Sequence, residues 1–355
     1  MSKTPLPLTR ASVVEALSLI RFSIHKTPVL TSKTLSALAT REGGPKINLL
    51  FKCENLQKIG AFKIRGATHA LARLSDDELR RGVVTHSSGN HAQALALAAR
   101  EASAVRGFPI PAYIVMPHIS TPSKIAATKG YGAEVIFSGS TADERETVTR
   151  AVQERTGAVL VPPYDHPHII LGQGTVALEF IDQAKEMWFP LDAIVAPCGG
   201  GGMLSGVAVV CQGTGIAVYG AEPREGADDA WWGLKNRLRV ESVKSLTIAD
   251  GLRTPVGVNN WAVISDLDMV KGVYTVSEGD IMRAMKLVIE RMKILIEPSS
   301  AVPVAVVLYN EEFWSDMVEC WREKGGRGEL NIGIVVSGGN TTIEKIIELF
   351  GSSEK

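Results

Sequence analysis

Short runs of mostly continuous apolar residues constrain this chain more than any other feature: Gly82 to Thr85, Ala112 to Met116, Glu134 to Phe137, Ile194 to Ala196, Val218 to Ala221 and Ile332 to Val336. A strand that is apolar on both faces must be covered on both faces, as in a parallel sheet flanked by helices. Helical patterns lie between the runs, at His91 to Ser103, Thr141 to Arg155, Val176 to Met187, Asp280 to Met292 and Thr342 to Leu349. The alternation predicts an α/β fold of open, mostly parallel sheets.

With 355 residues, 45% of them hydrophobic, the chain can bury two cores. The early strand–helix units end at a proline cluster, Pro162, Pro163 and Pro167. This predicts a small inserted α/β domain over 76–165, set into a large domain made of 1–75 and 166–355, with the ligand in the cleft between them.

Acidic and basic residues balance at 38 each, so no basic field points to nucleic acid and a small neutral or zwitterionic partner is expected. Cys53, Cys198, Cys211 and Cys320 are widely separated and read as reduced, buried thiols. Met1 to Arg10 is polar, and no later run is long enough to span a bilayer, which predicts a cytoplasmic protein that does not engage membranes.

In a parallel sheet, strand-to-helix junctions open on one edge, and ligands bind there. One junction is Thr85-His86-Ser87-Ser88-Gly89-Asn90-His91, whose amides and hydroxyls converge on a helix N-terminus. A second is Pro197-Cys198-Gly199-Gly200-Gly201-Gly202-Met203, ahead of the small-residue helix Leu204 to Val210. It lacks the lysine of a nucleotide P-loop and the spacing of a dinucleotide fold, so a single phosphate is the simpler ligand and a tight packing turn the competing reading. The third, Val336-Ser337-Gly338-Gly339-Asn340, would present Ser337 at the same edge. Lys63, between Phe62 and Ile64 and close to Arg65, has the apolar, cation-flanked setting that lowers an amine pKa and makes a nucleophile. A surface lysine is the alternative for that residue taken alone.

Together, Lys52-Cys53-Glu54-Asn55-Leu56-Gln57, Gly60-Ala61-Phe62-Lys63-Ile64-Arg65-Gly66-Ala67, Ser87-Ser88-Gly89-Asn90-His91, the glycine run and Ser337-Gly338-Gly339-Asn340 closely resemble the serine racemase and threonine dehydratase family. Gly172-Gln173-Gly174-Thr175, Thr247-Ile248-Ala249-Asp250-Gly251 and Glu297-Pro298-Ser299 add to the likeness, which runs from Thr27-Pro28 to the last helix. The resemblance implies the pyridoxal-phosphate fold type II shared with tryptophan synthase β subunits, with the cofactor in the cleft between two open domains. It also implies a lyase that converts L-serine or L-threonine to a 2-oxo acid and ammonia, with serine racemase activity alongside. A threo-3-hydroxyaspartate lyase and a β-replacement enzyme of the cysteine synthase type are the alternatives.

By the same resemblance Lys63 carries pyridoxal phosphate, Phe62 packs near its ring, Asn90 bonds its 3-hydroxyl, Gly199, Gly200, Gly201, Gly202 and Met203 hold the phosphate, and Ser337 faces the pyridine nitrogen. Ser88 matches the racemase position that works on the opposite face, with lining the pocket or capping the helix as its other reading. Ser87, Ser88, Asn90 and His91 would meet the substrate carboxylate, with Arg145 and Thr254 closing across the cleft. Arg145 lies among Asp143, Glu144 and Glu146, which also fits a solvated helix face. Glu222, Ala227 and Asp229 match a site for magnesium or another divalent cation, although the connection is one residue longer than the family pattern. A homodimer is expected, and the chain leaves no room after the Ser337 motif for a regulatory domain, so control by isoleucine is not.

Overall fold

The computed structural model describes residues 6–351, so Met1 to Pro5 of the polar start lie outside the described residues. Its strands are β1 (Val29–Thr31), β2 (Lys46–Cys53), β3 (Val83–His86), β4 (Ala112–Pro117), β5 (Glu134–Ser138), β6 (Val159–Leu160), β7 (Ala193–Pro197), β8 (Ala217–Pro223), β9 (Gly272–Val276) and β10 (Glu329–Val336). They form a six-stranded sheet of order β1-β2-β10-β7-β8-β9 and a four-stranded sheet of order β5-β4-β3-β6. Every pairing is parallel except β1 with β2. The strands of the smaller sheet are contiguous in sequence, so their unit sits as an insertion between β2 and β7.

The apolar runs are explained by double coverage. Along β2, Leu49, Phe51 and Cys53 join one core with the helix Pro298–Tyr309, whereas Leu50 joins a second core with the helices Pro167–Glu186 and Gly202–Cys211. Neighbouring side chains point to opposite faces, so a strand buried on both must be apolar throughout. A third core, with Leu95, Ile114 and Met116, lies within the inserted unit and against the helix Lys63–Ala72.

The helix Pro167–Glu186 starts well before the predicted Val176. Gly172 and Gly174 hide its first half in the sequence, and packing requires both. A β-carbon on Gly172 would stand 2.7 Å from the Gly66 α-carbon, and one on Gly174 would stand 2.8 Å from the Gly206 carbonyl oxygen. Three helices therefore cross at glycines, and the contact fixes the Lys63 helix against the large sheet. A buried ion network reinforces that seating. Arg65 donates to both oxygens of Glu54 at 2.7 Å and to Glu179 at 2.8 and 3.0 Å, while Lys52 reaches Glu179 at 2.7 Å. Among the described residues no helix is long and apolar enough to cross a membrane.

Candidate active site

Residues 59–62 deliver Lys63 to the edge where β10 ends. The Phe62 amide donates to the Ser337 carbonyl at 3.0 Å and the Gly339 amide to the Gly60 carbonyl at 2.9 Å. Making this turn puts Ile59 at φ 60 and Gly60 at φ 71. Such a conformation is costly for a β-branched residue and persists because the stitching on both sides imposes it. Gly60 has no alternative, since a β-carbon there would lie 2.7 Å from Asn340 Oδ1.

Lys63 keeps some exposed surface, yet its amine is closely surrounded by protein. Nζ donates to the Pro163 carbonyl at 2.8 Å and lies 5.0 Å from the Phe62 ring centre. Burial pulls its pKa down to about 8, opposed by the Glu297 carboxylate. The sequence argument gave this lowering two causes, an apolar setting and a flanking cation. Arg65 is spent on Glu54 and Glu179 instead, and desolvation is the cause.

Pro163 leads directly to Tyr164, whose ring covers the glycine run: a β-carbon on Gly200 would stand 2.3 Å from Tyr164 Cγ. Gly201 adopts φ 88, and a β-carbon on Gly199 would approach the Leu252 α-carbon to 2.9 Å. The helix Gly202–Cys211 begins here. No acceptor among the described residues takes the amides of Gly199, Gly200, Gly201, Gly202, Met203 or Leu204. A run of free donors at a helix N-terminus is a cradle for a phosphate dianion, so these residues fit the phosphate of a cofactor borne on Lys63.

The β3 junction supplies a second set of free amides, at Ser88, Asn90 and His91. The helix after it is capped by Gly89 with no side-chain bond, so Ser88 does not cap it and its hydroxyl forms no hydrogen bond among the described residues. Ser87 Oγ accepts the Gly89 amide at 3.4 Å. The His91 ring is committed elsewhere. Burial pulls its pKa down to about 3, and Nε2 lies 3.0 Å from the Val161 carbonyl. The neutral ring must donate there, which leaves Nδ1 a lone pair. Only the His91 amide can serve a carboxylate.

Arg145 lies in the first half of the helix Ala142–Thr156, and its buried Nε has no partner. The residue is half-buried between exposed neighbours, and its charge joins burial in lowering the His86 pKa at the end of β3. Thr254 sits half-buried in the loop after Leu252, and no hydrogen bond among the described residues ties it to the other site residues. Asp165 accepts the amides of Val258 and Asn259, each at 2.9 Å. Those two bonds hold the Asp165 carboxylate at the start of the helix Val258–Ile264.

Asn90 is held by partners the sequence did not suggest. Its amide nitrogen faces both oxygens of Glu297, at 3.0 and 3.2 Å, and its carbonyl accepts from Asn340 at 2.7 Å. Glu297 further accepts the Asn340 amide at 3.2 Å. It is 5% exposed, and burial pushes its pKa up to about 7. This carboxylate between Lys63 and Asn90 was missed as a site residue, although its motif was visible in the sequence. A buried acid preceding a helix that starts with proline is the signal that marked it. Ser337 Oγ lies 3.0 Å from Ser300 Oγ, and Ser300 in turn bonds Gly338.

Farther along the same edge, Glu222 accepts the Ala230 and Trp231 amides at 3.1 and 2.9 Å, and Asp229 accepts the Val256 amide at 2.8 Å. Asp229 Oδ1 is buried without a partner. Burial raises both acids, Asp229 to about 6 with Asp228 adding repulsion, and Glu222 well above the usual carboxylate range with the Asp229 charge adding to it. Among the described residues no three His, Cys, Asp or Glu side chains gather at ligand spacing, so a cation here would need the Ala227 carbonyl or water as well.

A family model described as "Pyridoxal-phosphate dependent enzyme" matches residues 20–316. The chain belongs to that family. Among its pyridoxal-phosphate relatives, a serine racemase of Arabidopsis thaliana is 43% identical over 345 residues, covering 97% of this chain and 96% of the relative. The solved structure of maize serine racemase superposes with a TM-score of 0.85 at 40% identity, covering 97% of each chain. The threonine deaminase of T.th. superposes at 0.79 with 37% identity, covering 94% of this chain and 99% of that one. The fold is that of the pyridoxal-phosphate family, as the sequence motifs implied.

Proposed function

We propose that this protein is a pyridoxal-phosphate ammonia-lyase that converts L-serine and L-threonine to a 2-oxo acid and ammonia, and that it also racemises serine. The supporting observation is the pairing of a buried, near-neutral Lys63 amine with a run of free amides at a neighbouring helix N-terminus, the two linked through Pro163 and Tyr164. When bound, pyridoxal phosphate supplies an electron sink for the α-carbon of the substrate. Gly199 to Gly202 and Met203 hold its phosphate, Phe62 borders its ring and Ser337 meets its nitrogen. Asn90, anchored by Glu297 and Asn340, lies beside its 3-hydroxyl.

The amides of Ser88, Asn90 and His91, with the Ser87 side chain, bind the substrate carboxylate, and Arg145 and Thr254 close over it. Lys63 Nζ takes the α-proton. Departure of the β-hydroxyl as water, with the proton that Lys63 took, and uptake of one water by the resulting enamine give the 2-oxo acid and ammonia, whereas a proton returned from Ser88 Oγ on the opposite face gives D-serine. Tyr164, packed over Gly200, keeps water from that side.

The unpartnered Arg145 favours one further substrate, threo-3-hydroxyaspartate, whose second carboxylate it would accept. Magnesium at Glu222, Asp229 and the Ala227 carbonyl, a homodimeric assembly and a cytoplasmic setting complete the proposal.

The test is the absorbance of purified wild-type and Lys63→Ala protein, then chiral product analysis with L-serine, L-threonine and L-threo-3-hydroxyaspartate. A band near the visible edge that requires Lys63, with keto acid released, is the expected result. D-serine should form in wild type and be lost in Ser88→Ala while keto acid persists. A protein with no such band, or with the band and no turnover of these substrates, is not this enzyme.

A further inference from the structure

Behind the Lys63 helix, where the chain returns from the smaller sheet to the larger one, lies a cavity of about 120 Å³. Its polar lining is Arg73, Glu78, His166 and His168, and Ala70 and Pro162 are among its apolar walls. Arg73 and His168 are 9% and 7% exposed, yet Arg73 Nε and His168 Nδ1 have no hydrogen-bond partner among the described residues. Beside them His69 is fully buried. Its Nδ1 meets the His168 carbonyl at 2.6 Å, and its Nε2 is also without a partner. Unpaired buried polar atoms are uncommon, and a cluster around one cavity points to a ligand or ordered water that satisfies them.

The charges indicate what kind of ligand. Glu15 takes Arg73 NH1 at 2.9 Å from outside, which leaves the Nε edge free. Glu78 uses Oε2 to accept the Ser75 amide and hydroxyl, both at 2.8 Å, and no donor among the described residues takes Oε1. Burial pulls His69 and His168 down to about 4, so both rings are neutral near pH 7 and add no charge. A simple anion would meet Glu78 and a simple cation would meet Arg73. A molecule carrying both charges matches both. A space of this size holds several waters, which is room for an amino acid as small as alanine or serine.

We propose that this cavity is a second, non-catalytic binding site for a small zwitterionic amino acid, its carboxylate on Arg73 and its ammonium on Glu78. The site is placed to act on catalysis. Pro162 forms part of its wall, and the next residue, Pro163, supplies the carbonyl that receives Lys63 Nζ. His69 and Arg73 stand on or at the end of the helix that Lys63 begins.

Calorimetric titration of the holoenzyme with L-alanine, which has no β-leaving group, tests the proposal when cofactor absorbance is followed on the same samples. Two binding events are expected, one that perturbs the absorbance and one that leaves it unchanged. Arg73→Gln, and Ala70→Leu, which fills the cavity, should weaken the silent event at least ten-fold and leave the other in place, which also certifies the fold. If Arg73→Gln does not fold, Ala70→Leu decides alone. A single absorbance-linked event, a silent event that survives the variants, or a crystal grown with L-alanine that shows only water in the cavity would each overturn the proposal. A protein without a cofactor band would defeat the catalytic reading and still leave the silent event measurable.

Discussion

Replacing Gly200 with alanine tests how the cofactor cradle is built. The added β-carbon would stand 2.3 Å from Cγ of Tyr164 and 2.4 and 2.5 Å from its Cδ atoms, whereas carbon atoms rest at roughly 3.5–4.0 Å. The ring would have to retreat by more than about 1 Å. It cannot do so freely, because the Tyr164 backbone also packs on Gly202 and the Pro163 carbonyl before it holds Lys63. Overpacking of this kind costs about 1–3 kcal/mol. If the strain falls on the cradle, cofactor affinity drops roughly 5- to 150-fold. Titrating apoprotein with pyridoxal phosphate and following the Lys63-dependent band measures the loss. Adding Tyr164→Ala to Gly200→Ala removes the obstructing ring and should recover most of the affinity. Wild-type affinity in Gly200→Ala, or no recovery in the double variant, would refute the argument that Tyr164 is why this position is glycine.

Cofactor uptake by the apoprotein should accelerate about ten-fold per pH unit below pH 8 and level off above it, because the neutral fraction of Lys63 sets the rate. In Glu297→Gln the carboxylate that raises the Lys63 pKa is gone, so the break should move below 8; a stopped-flow pH series checks both. Because the folded pKa of Lys63 lies below its ordinary value of 10.5, the unfolded chain binds more protons between pH 8 and 10.5, and this group's contribution to apoprotein stability should rise with pH across that window, as urea titrations can read. Arg65→Met strands Glu54 and much of Glu179 without their partner and should cost about 3–5 kcal/mol in urea unfolding; a loss under about 1 kcal/mol would show that the network is not needed. Magnesium at one hundred times its dissociation constant should stabilise the holoenzyme by about 2.7 kcal/mol, and Asp229→Asn should abolish that gain in thermal unfolding.

Much of this protein was legible before its fold. Continuous apolar runs gave the β3, β4, β5, β7, β8 and β10 strands with small errors at their ends, because double burial leaves a strong compositional mark. The β2 strand was missed: it carries Lys46 and Lys52, and only the tertiary partners of Lys52, Glu179 with Gln183 and the Thr27 carbonyl, explain a buried lysine there. The two-residue β6 was too short to show a pattern. The glycine run and the Ser337 turn were visible because each breaks the regular pattern at a strand end, where ligands bind, whereas Lys63 stood out only together with the motifs around it.

The sequence by itself determined the parallel α/β architecture and picked out the glycine run and the Lys63 motif, since these depend on residue pattern and on neighbours a few positions away. Only the tertiary structure decided the electrostatics. Asn90 meets Glu297 across 207 positions of chain and Asn340 across 250. Asp165 is held by amides at the start of a helix 93 positions on, and Arg65 turns away from Lys63 toward Glu54 and Glu179. Charges act over a few ångströms and depend on burial, and neither separation in space nor burial can be read from spacing along a chain.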